Sequence, residues 1–120
     1  MQYKSLYCKM FIDTNMGQQG LVLMINDFLN GKIFLRNIDN DYLSLSVMRN
    51  EDYDPIKKTN IEDGPLYYQY YLDIEPSGKT DFDTYLIHIK SLISFFKTKG
   101  FNPIAACKFE DKLNGDHQNI

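Results

Sequence analysis

Apolar residues recur along this chain with two periods, and the order in which the periods alternate limits the folds open to it. Between Tyr3 and Ile12 polar and apolar residues alternate, with Leu6, Cys8, Met10 and Ile12 on one side and Tyr3, Ser5, Tyr7, Lys9 and Phe11 on the other. A period of two marks a strand, because successive strand side chains point to opposite faces. Asp13-Thr14-Asn15 then offers a helix start, and Leu21, Met24, Ile25, Phe28 and Leu29 follow at helical spacing. Asn30-Gly31 supplies the stop, since Gly accepts the left-handed conformation after a helix. Lys32 to Arg36 is a short strand candidate, and Asn37 to Asp41 reads as a turn.

Period two returns at Tyr42 to Asn50, where Leu43, Leu45 and Val47 oppose Ser44 and Ser46. It returns again at Leu66 to Ile74, with Leu66, Tyr68, Tyr70, Leu72 and Ile74 on one side and Tyr67, Gln69, Tyr71 and Asp73 on the other. Pro76-Ser77-Gly78 ends that strand. Thr80 then caps a long helix, with Asp83 three residues on as in a capping box. Its stripe is Phe82, Tyr85, Leu86, Ile89, Leu92, Ile93 and Phe96; Lys97 and Lys99 suit the negative end of its dipole, and Gly100 stops it. Phe101 to Phe109 reads as a last strand, and the residues from Lys112 onward as polar.

The order is therefore β-α-β(β)-β-α-β. Two helices, each following a strand, cover one face of an antiparallel sheet. This is an α+β class, the ferredoxin-like split βαβ plan, with four to five strands and two helices on one face. At 120 residues, 43% hydrophobic and 24% charged, the chain is one globular domain. The domain is set at residues 1–113, with 114–120 as a polar tail expected to fray. The second sheet face would carry Tyr3, Tyr7, Phe11, Tyr67 and Tyr71, open to water or covered by a partner.

Several chemistries are set aside. The net charge is −3, without the basic stripe of a nucleic-acid binder. Gly17-Gln-Gln-Gly20 lacks the basic company of a nucleic-acid clamp and reads as a flexible helix entry. No apolar run approaches the roughly 20 residues of a membrane span. The first ten residues lack the unbroken apolar stretch of a secretion signal, so a cytoplasmic location is expected. The two histidines, His88 and His117, are too few and too isolated for a zinc centre. Cys8 and Cys107 lie in apolar stretches without CxxC spacing and read as reduced core residues; a bridge between them needs their strands to be neighbours. No nucleophile motif or phosphate loop occurs. No catalytic residue, metal ligand or cofactor is assigned.

What remains is charge and aromatic surface. Glu51 to Gly64 reads as a loop with five carboxylates, Glu51, Asp52, Asp54, Glu62 and Asp63, against Lys57 and Lys58. The whole formal charge of the chain sits there. The spacing does not match a calcium loop. Arg49, just before these acids, offers a rigid donor fork, used internally on Asp52, Asp54 or Glu110 or aimed at a partner. Glu110 and Asp111 close the last strand, within reach of the acidic loop if the strand ends coincide. Tyr53, Tyr67 and Tyr71 are apolar anchors with wet hydroxyls.

Arg49-Asn-Glu-Asp-Tyr-Asp-Pro55, Leu66-Tyr-Tyr-Gln-Tyr-Tyr-Leu-Asp-Ile-Glu-Pro76 and Ala105-Ala-Cys-Lys-Phe-Glu-Asp111 resemble a family of small uncharacterised bacterial single-domain proteins. The resemblance spans about residues 3 to 113 and implies a ferredoxin-like domain. Glu51 stands where that family more often has Asp, and Lys108 where it has an acid, which weakens an acidic cluster at the last strand. Size, charge and missing catalytic motifs are also similar to those of immunity proteins, which neutralise a cognate toxin by binding it.

The expected function is a non-enzymatic, cytoplasmic protein-binding domain of the immunity type. An acidic loop steers onto a basic toxin domain, and the partner-binding residues are Arg49, Glu51, Asp52, Tyr53, Asp54, Glu62, Asp63, Tyr67, Tyr71, Glu110 and Asp111. Two alternatives stand beside it. One is a small-molecule or metal site, or an enzyme, around Arg49, Asp52 and Glu110. The other is a homodimer through the open sheet face.

Overall fold

The computed structural model describes residues 5–114. Six strands form one open antiparallel sheet: β1 (Cys8–Ile12), β2 (Lys32–Phe34), β3 (Asn37–Asp39), β4 (Leu43–Arg49), β5 (Tyr70–Pro76) and β6 (Ile104–Cys107). Three helices accompany them: α1 (Gln18–Leu29), α2 (Phe82–Thr98) and the short α3 (Glu110–Asn114). The sheet order is β2-β3-β4-β5-β1-β6. The first strand thus lies between two strands from the second half of the chain. Six strands exceed the four to five expected, because the hairpin β2–β3 joins the edge beside β4.

One face of the sheet is the core. Cys8, Met10 and Ile12 of β1, Leu43, Leu45 and Val47 of β4, and Tyr70, Leu72 and Ile74 of β5 form one buried cluster. The inner stripes of both long helices complete it, Leu21, Val22 and Ile25 from α1 and Tyr85, Ile89, Leu92 and Phe96 from α2. The helices also meet each other, Phe28 stacking on Phe95 with centroids 4.2 Å apart. The Tyr85 hydroxyl is the polar pin of this core. It donates to the Leu6 carbonyl at 2.7 Å and approaches that of Ile74 at 3.1 Å, so a ring deep in the core keeps its O–H satisfied.

Several boundaries differ from the sequence reading, each for a local reason. Asn37 to Asp41 is not simply a turn. The chain reverses at Leu35-Arg36, with Leu35 at φ 58°, and Asn37–Asp39 pairs with β4, burying Ile38 against Leu45. Three residues are too few to display a period. The left-handed residue ending α1 is Asn30, at φ 52°. Gly31 serves close approach instead, since a Cβ there would stand 2.6 Å from the Asp39 carbonyl. α1 begins at Gln18, with Gly17 as its N-cap, later than the Asp13-Thr14-Asn15 start.

β5 begins at Tyr70, not Leu66. Gly64–Tyr67 forms a 3-10 turn around Pro65, and a proline cannot donate to a ladder. Asp81, not Thr80, caps α2: its carboxylate accepts the Thr84 N–H at 2.8 Å, while the Thr80 hydroxyl is spent on the Ser77 carbonyl. The last strand is only Ile104–Cys107. Asn102 at φ 50° and Pro103 delay it, and Phe109 leaves it to pack edge-on against Phe82 and Tyr85. Lys112 and Leu113 belong to α3, with Leu113 buried, rather than to a polar tail. Tyr3, His117 and the tail from residue 115 lie outside the described residues.

The Tyr85 pin yields a stability prediction. Tyr85→Phe leaves both carbonyls without this donor and should cost about 1–2 kcal/mol by urea unfolding. An unchanged midpoint would show that the hydroxyl pins nothing.

Candidate functional surface

The register sorts the chain's connections to two ends of the sheet. Pairing of Ile12 with Tyr70, Arg49 with Tyr70 and Phe11 with Ile104 places these residues at one end. Pairing of Cys8 with Ile74 and Cys107, and of Leu43 with Pro76, defines the other. The acidic segment between β4 and β5 emerges at the first end. So does the tip of the β2–β3 hairpin, where the Arg36 carbonyl accepts the Val47 N–H at 3.0 Å.

The acidic segment is an ordered knot held by short polar side chains. The Asn50 amide donates to the carbonyls of Leu66 (2.9 Å) and Tyr68 (2.8 Å), and its oxygen accepts the Asp52 N–H. Asp54 accepts the N–H groups of Ile56 and Lys57, both at 2.9 Å, and so nucleates the first 3-10 turn, Lys57–Thr59. Asn60 does the same for Glu62 and Asp63. Gly64 closes the knot: a Cβ there would lie 2.4 Å from the Lys58 carbonyl. These are Asx turns, in which a side-chain oxygen satisfies backbone donors two and three residues on.

Charge is distributed unevenly within the knot. Lys58 reaches back to Asp13 in an ion pair of 2.9 Å, which holds the Lys58 ammonium above its ordinary pKa. Lys57 lies over the Tyr67 ring, 5.3 Å from its centroid. Asp54 is turned onto the backbone, and the N–H groups of Lys57 and then Ile56 hold its carboxyl below the ordinary range. Glu51, Asp52, Glu62 and Asp63 are exposed. Both cations thus engage the chain's own groups while four carboxylates face water.

Large apolar side chains stand among them. Ile56 is 81% exposed and Ile61 99% exposed, with Leu66 and Tyr53 partly so. At the neighbouring hairpin tip Phe34 and Leu35 are 74% and 78% exposed, and Leu35 holds a left-handed φ that a branched side chain rarely adopts. Arg49 stands between loop and hairpin, its Nε donating to Gln18 Oε1 at 3.2 Å, while Gln18 Nε2 donates to the Val47 carbonyl. The guanidinium is thus aligned by the first residue of α1. The hairpin also bounds a groove of about 360 Å³ with α1, lined by Gln18, Val22, Leu23, Ile33, Leu35 and Arg36.

The sequence-derived residues divide accordingly. Arg49, Glu51, Asp52, Tyr53, Asp54, Glu62, Asp63 and Tyr67 gather at this end. Glu110 and Asp111 do not: they open α3 just after Cys107, at the opposite end of the sheet. Arg49, Asp52 and Glu110 therefore line no common pocket. Tyr71 lies on the open sheet face, where neighbours occupy it: Phe11 packs beside its ring and Lys9 lies over it, 4.2 Å from the centroid. On the same face the Tyr7 hydroxyl donates to Asp73, and burial, with Asp73 behind it, pushes that phenol up. The residues missed by pattern reading are Asn50, Asn60, the exposed Ile56, Ile61 and Leu66, and the Phe34-Leu35 tip. The Asx spacing of Asn50 and Asn60 was a readable signal; the tip had none beyond its apolar character.

No three His, Cys, Asp or Glu side chains converge as metal ligands among the described residues. Nor is any described helix long and apolar enough to cross a membrane. No family model, curated protein or solved structure matches this chain.

Two predictions test the knot. Asn50→Ala should speed hydrogen exchange at Asp52 and loosen the Leu66–Tyr68 backbone while leaving β1 protection unchanged; uniform loss of protection would deny the amide a local role. Asp54 titrates lower in the folded knot than in the unfolded chain. Its contribution is full above the ordinary value of 3.8 and is lost as pH falls below that, through the depressed value. Amide NMR shifts of Ile56 and Lys57 should follow that titration, and Asp54→Asn should abolish the response.

Proposed function

We propose that this chain is a ferredoxin-like split βαβ domain with an added edge hairpin, and that it works by binding a protein. The strand order β4-β5-β1-β6, with a helix after β1 and another after β5, supports the fold reading. The observation that carries the function is the composition of one end of the sheet. Exposed Phe34, Leu35, Ile56, Ile61 and Leu66 share that end with the outward carboxylates Glu51, Asp52, Glu62 and Asp63. An apolar centre with a charged rim is how protein interfaces are built. An exposed apolar cluster rimmed by charge costs solubility unless something covers it.

The sign of the rim names the partner's chemistry. Four solvent-facing carboxylates beside two internally engaged lysines select a basic surface and accelerate encounter with it. This fits the immunity-type reading: a cytoplasmic inhibitor that covers the basic site of a bacterial toxin domain. The resemblance of the Arg49–Pro55, Leu66–Pro76 and Ala105–Asp111 segments to small bacterial single-domain proteins is consistent with it. In this reading Arg49 orders the boundary between loop and hairpin, and Glu110 and Asp111 fall outside the contact.

The test begins with the neighbouring gene. A large secreted protein with a basic C-terminal domain should be encoded beside this one, and that domain should bind with an association rate that falls steeply with salt. Replacing Glu51, Asp52, Glu62 and Asp63 by their amides should slow association about tenfold or more and flatten the salt dependence. Ile61→Ala should instead raise the dissociation rate. Binding indifferent to all five changes would remove this end of the sheet from the interface.

A further inference from the structure

Cys8 opens β1, Cys107 closes β6, and the two are directly opposed in the antiparallel register. Opposed residues in such a pair have Cα atoms about 4.5 or 5.5 Å apart, according to whether they exchange hydrogen bonds. Both separations fall in the range of roughly 4.4–6.8 Å that a disulfide spans. Opposed residues also share a sheet face, here the helix-covered one. The two thiols interact across the strand pair, and neither is in a disulfide.

Their surroundings are unequal. Cys8 is fully buried, while Cys107 retains some exposure and sits on β6, the edge strand. The hydrogen bond to Cys107 and its own burial push the Cys8 thiol up. The hydrogen bond from Cys8, with one from the Phe109 N–H, brings the Cys107 thiol down against its partial burial. Reactivity follows thiolate character and access, and both favour Cys107.

We propose that Cys107 and Cys8 form a thiol–disulfide exchange site for a low-molecular-weight disulfide, with Cys107 the entry thiol and Cys8 the resolving thiol. Cys107 gives its proton to solvent, and its thiolate attacks one sulfur of the small disulfide. The S–S bond breaks, one thiolate leaves and takes up a proton, and a mixed disulfide stands on Cys107. Cys8 then loses its proton and attacks Cys107 Sγ, expelling the second small thiolate, which is protonated in turn. Two protein thiols are oxidised and one small disulfide is reduced to two thiols. The product bridge ties the edge strand, and α3 beyond it, to the first strand of the sheet.

The experiment uses the folded chain and excess oxidised glutathione, read by intact mass and non-reducing peptide mapping. The wild type should lose two hydrogens, remain a single chain and yield linked Cys8 and Cys107 peptides. Cys8→Ser should accumulate a glutathione adduct on Cys107, and Cys107→Ser should acquire none. The bridged chain should melt on the order of 10 °C higher, since the bridge closes nearly the whole chain. Brief alkylation of the reduced wild type needs no variant and should label Cys107 first. A wild type that stays reduced, a bridge between two chains, labelling that begins at Cys8, or a lower melting point on oxidation would each overturn the proposal.

Discussion

The pairing of β1 between β5 and β6 is the constraint on which the rest of the structure depends. Cys8 faces Ile74 on one side and Cys107 on the other, so the strand that comes first in the chain is completed only by strands that come late. Consecutive strands separated by a helix are therefore not neighbours: β2 stands at the far edge, beyond β3, β4 and β5, and β6 stands beyond β1. Each helix must carry the chain across the sheet and return it in the same direction. Both long helices do so over the same face, and their apolar stripes join Met10, Leu45 and Leu72 in one buried cluster. The price of this arrangement is slow closure, since long-range pairs form only after long loops have closed.

The opposite face inherits no helical cover, and the chain satisfies it with its own side chains. Tyr7 donates to Asp73, Lys9 lies over the rings of Phe11 and Tyr71, and the Ser46 hydroxyl donates to Asn37. Phe11 reaches 5% exposure there without belonging to the main core. Aromatic rings, a cation and short polar groups thus close the surface by cross-strand contact. A face whose polar groups already have partners offers a ligand little.

Much of this was legible in the sequence because burial on one face imposes a period. β1, β4, β5 and both long helices were each visible as alternation or as a helical stripe, and the element order then pointed to antiparallel strands beneath two helices. What was not legible depends on contacts distant in sequence or on turn chemistry. Asn37-Ile38-Asp39 becomes a strand because Ile38 meets Leu45, which three residues cannot announce. Leu66 and Tyr68 continue an alternation yet leave the ladder, because Pro65 cannot donate and the Asn50 amide takes their carbonyls. Glu110 and Asp111 would reach the acidic loop only if the strand ends coincided; strand direction sends them to the far end.

The same topology explains why recognition would concentrate at one end of the sheet. With one face filled by helices and the other closed by its own pairs, the most exposed apolar groups, Ile61, Ile56, Leu35 and Phe34, collect where the chain turns, as functional residues commonly do. A loose loop carrying Ile56 and Ile61 would lose conformational entropy on binding. This loop is already ordered by Asn50, Asp54 and Asn60 and fastened by Lys58 to Asp13, the residue that follows β1. Ordering in advance lowers what association must overcome. The carboxylates then act at long range and the isoleucines at contact, so salt should modulate the encounter far more than the lifetime of the complex.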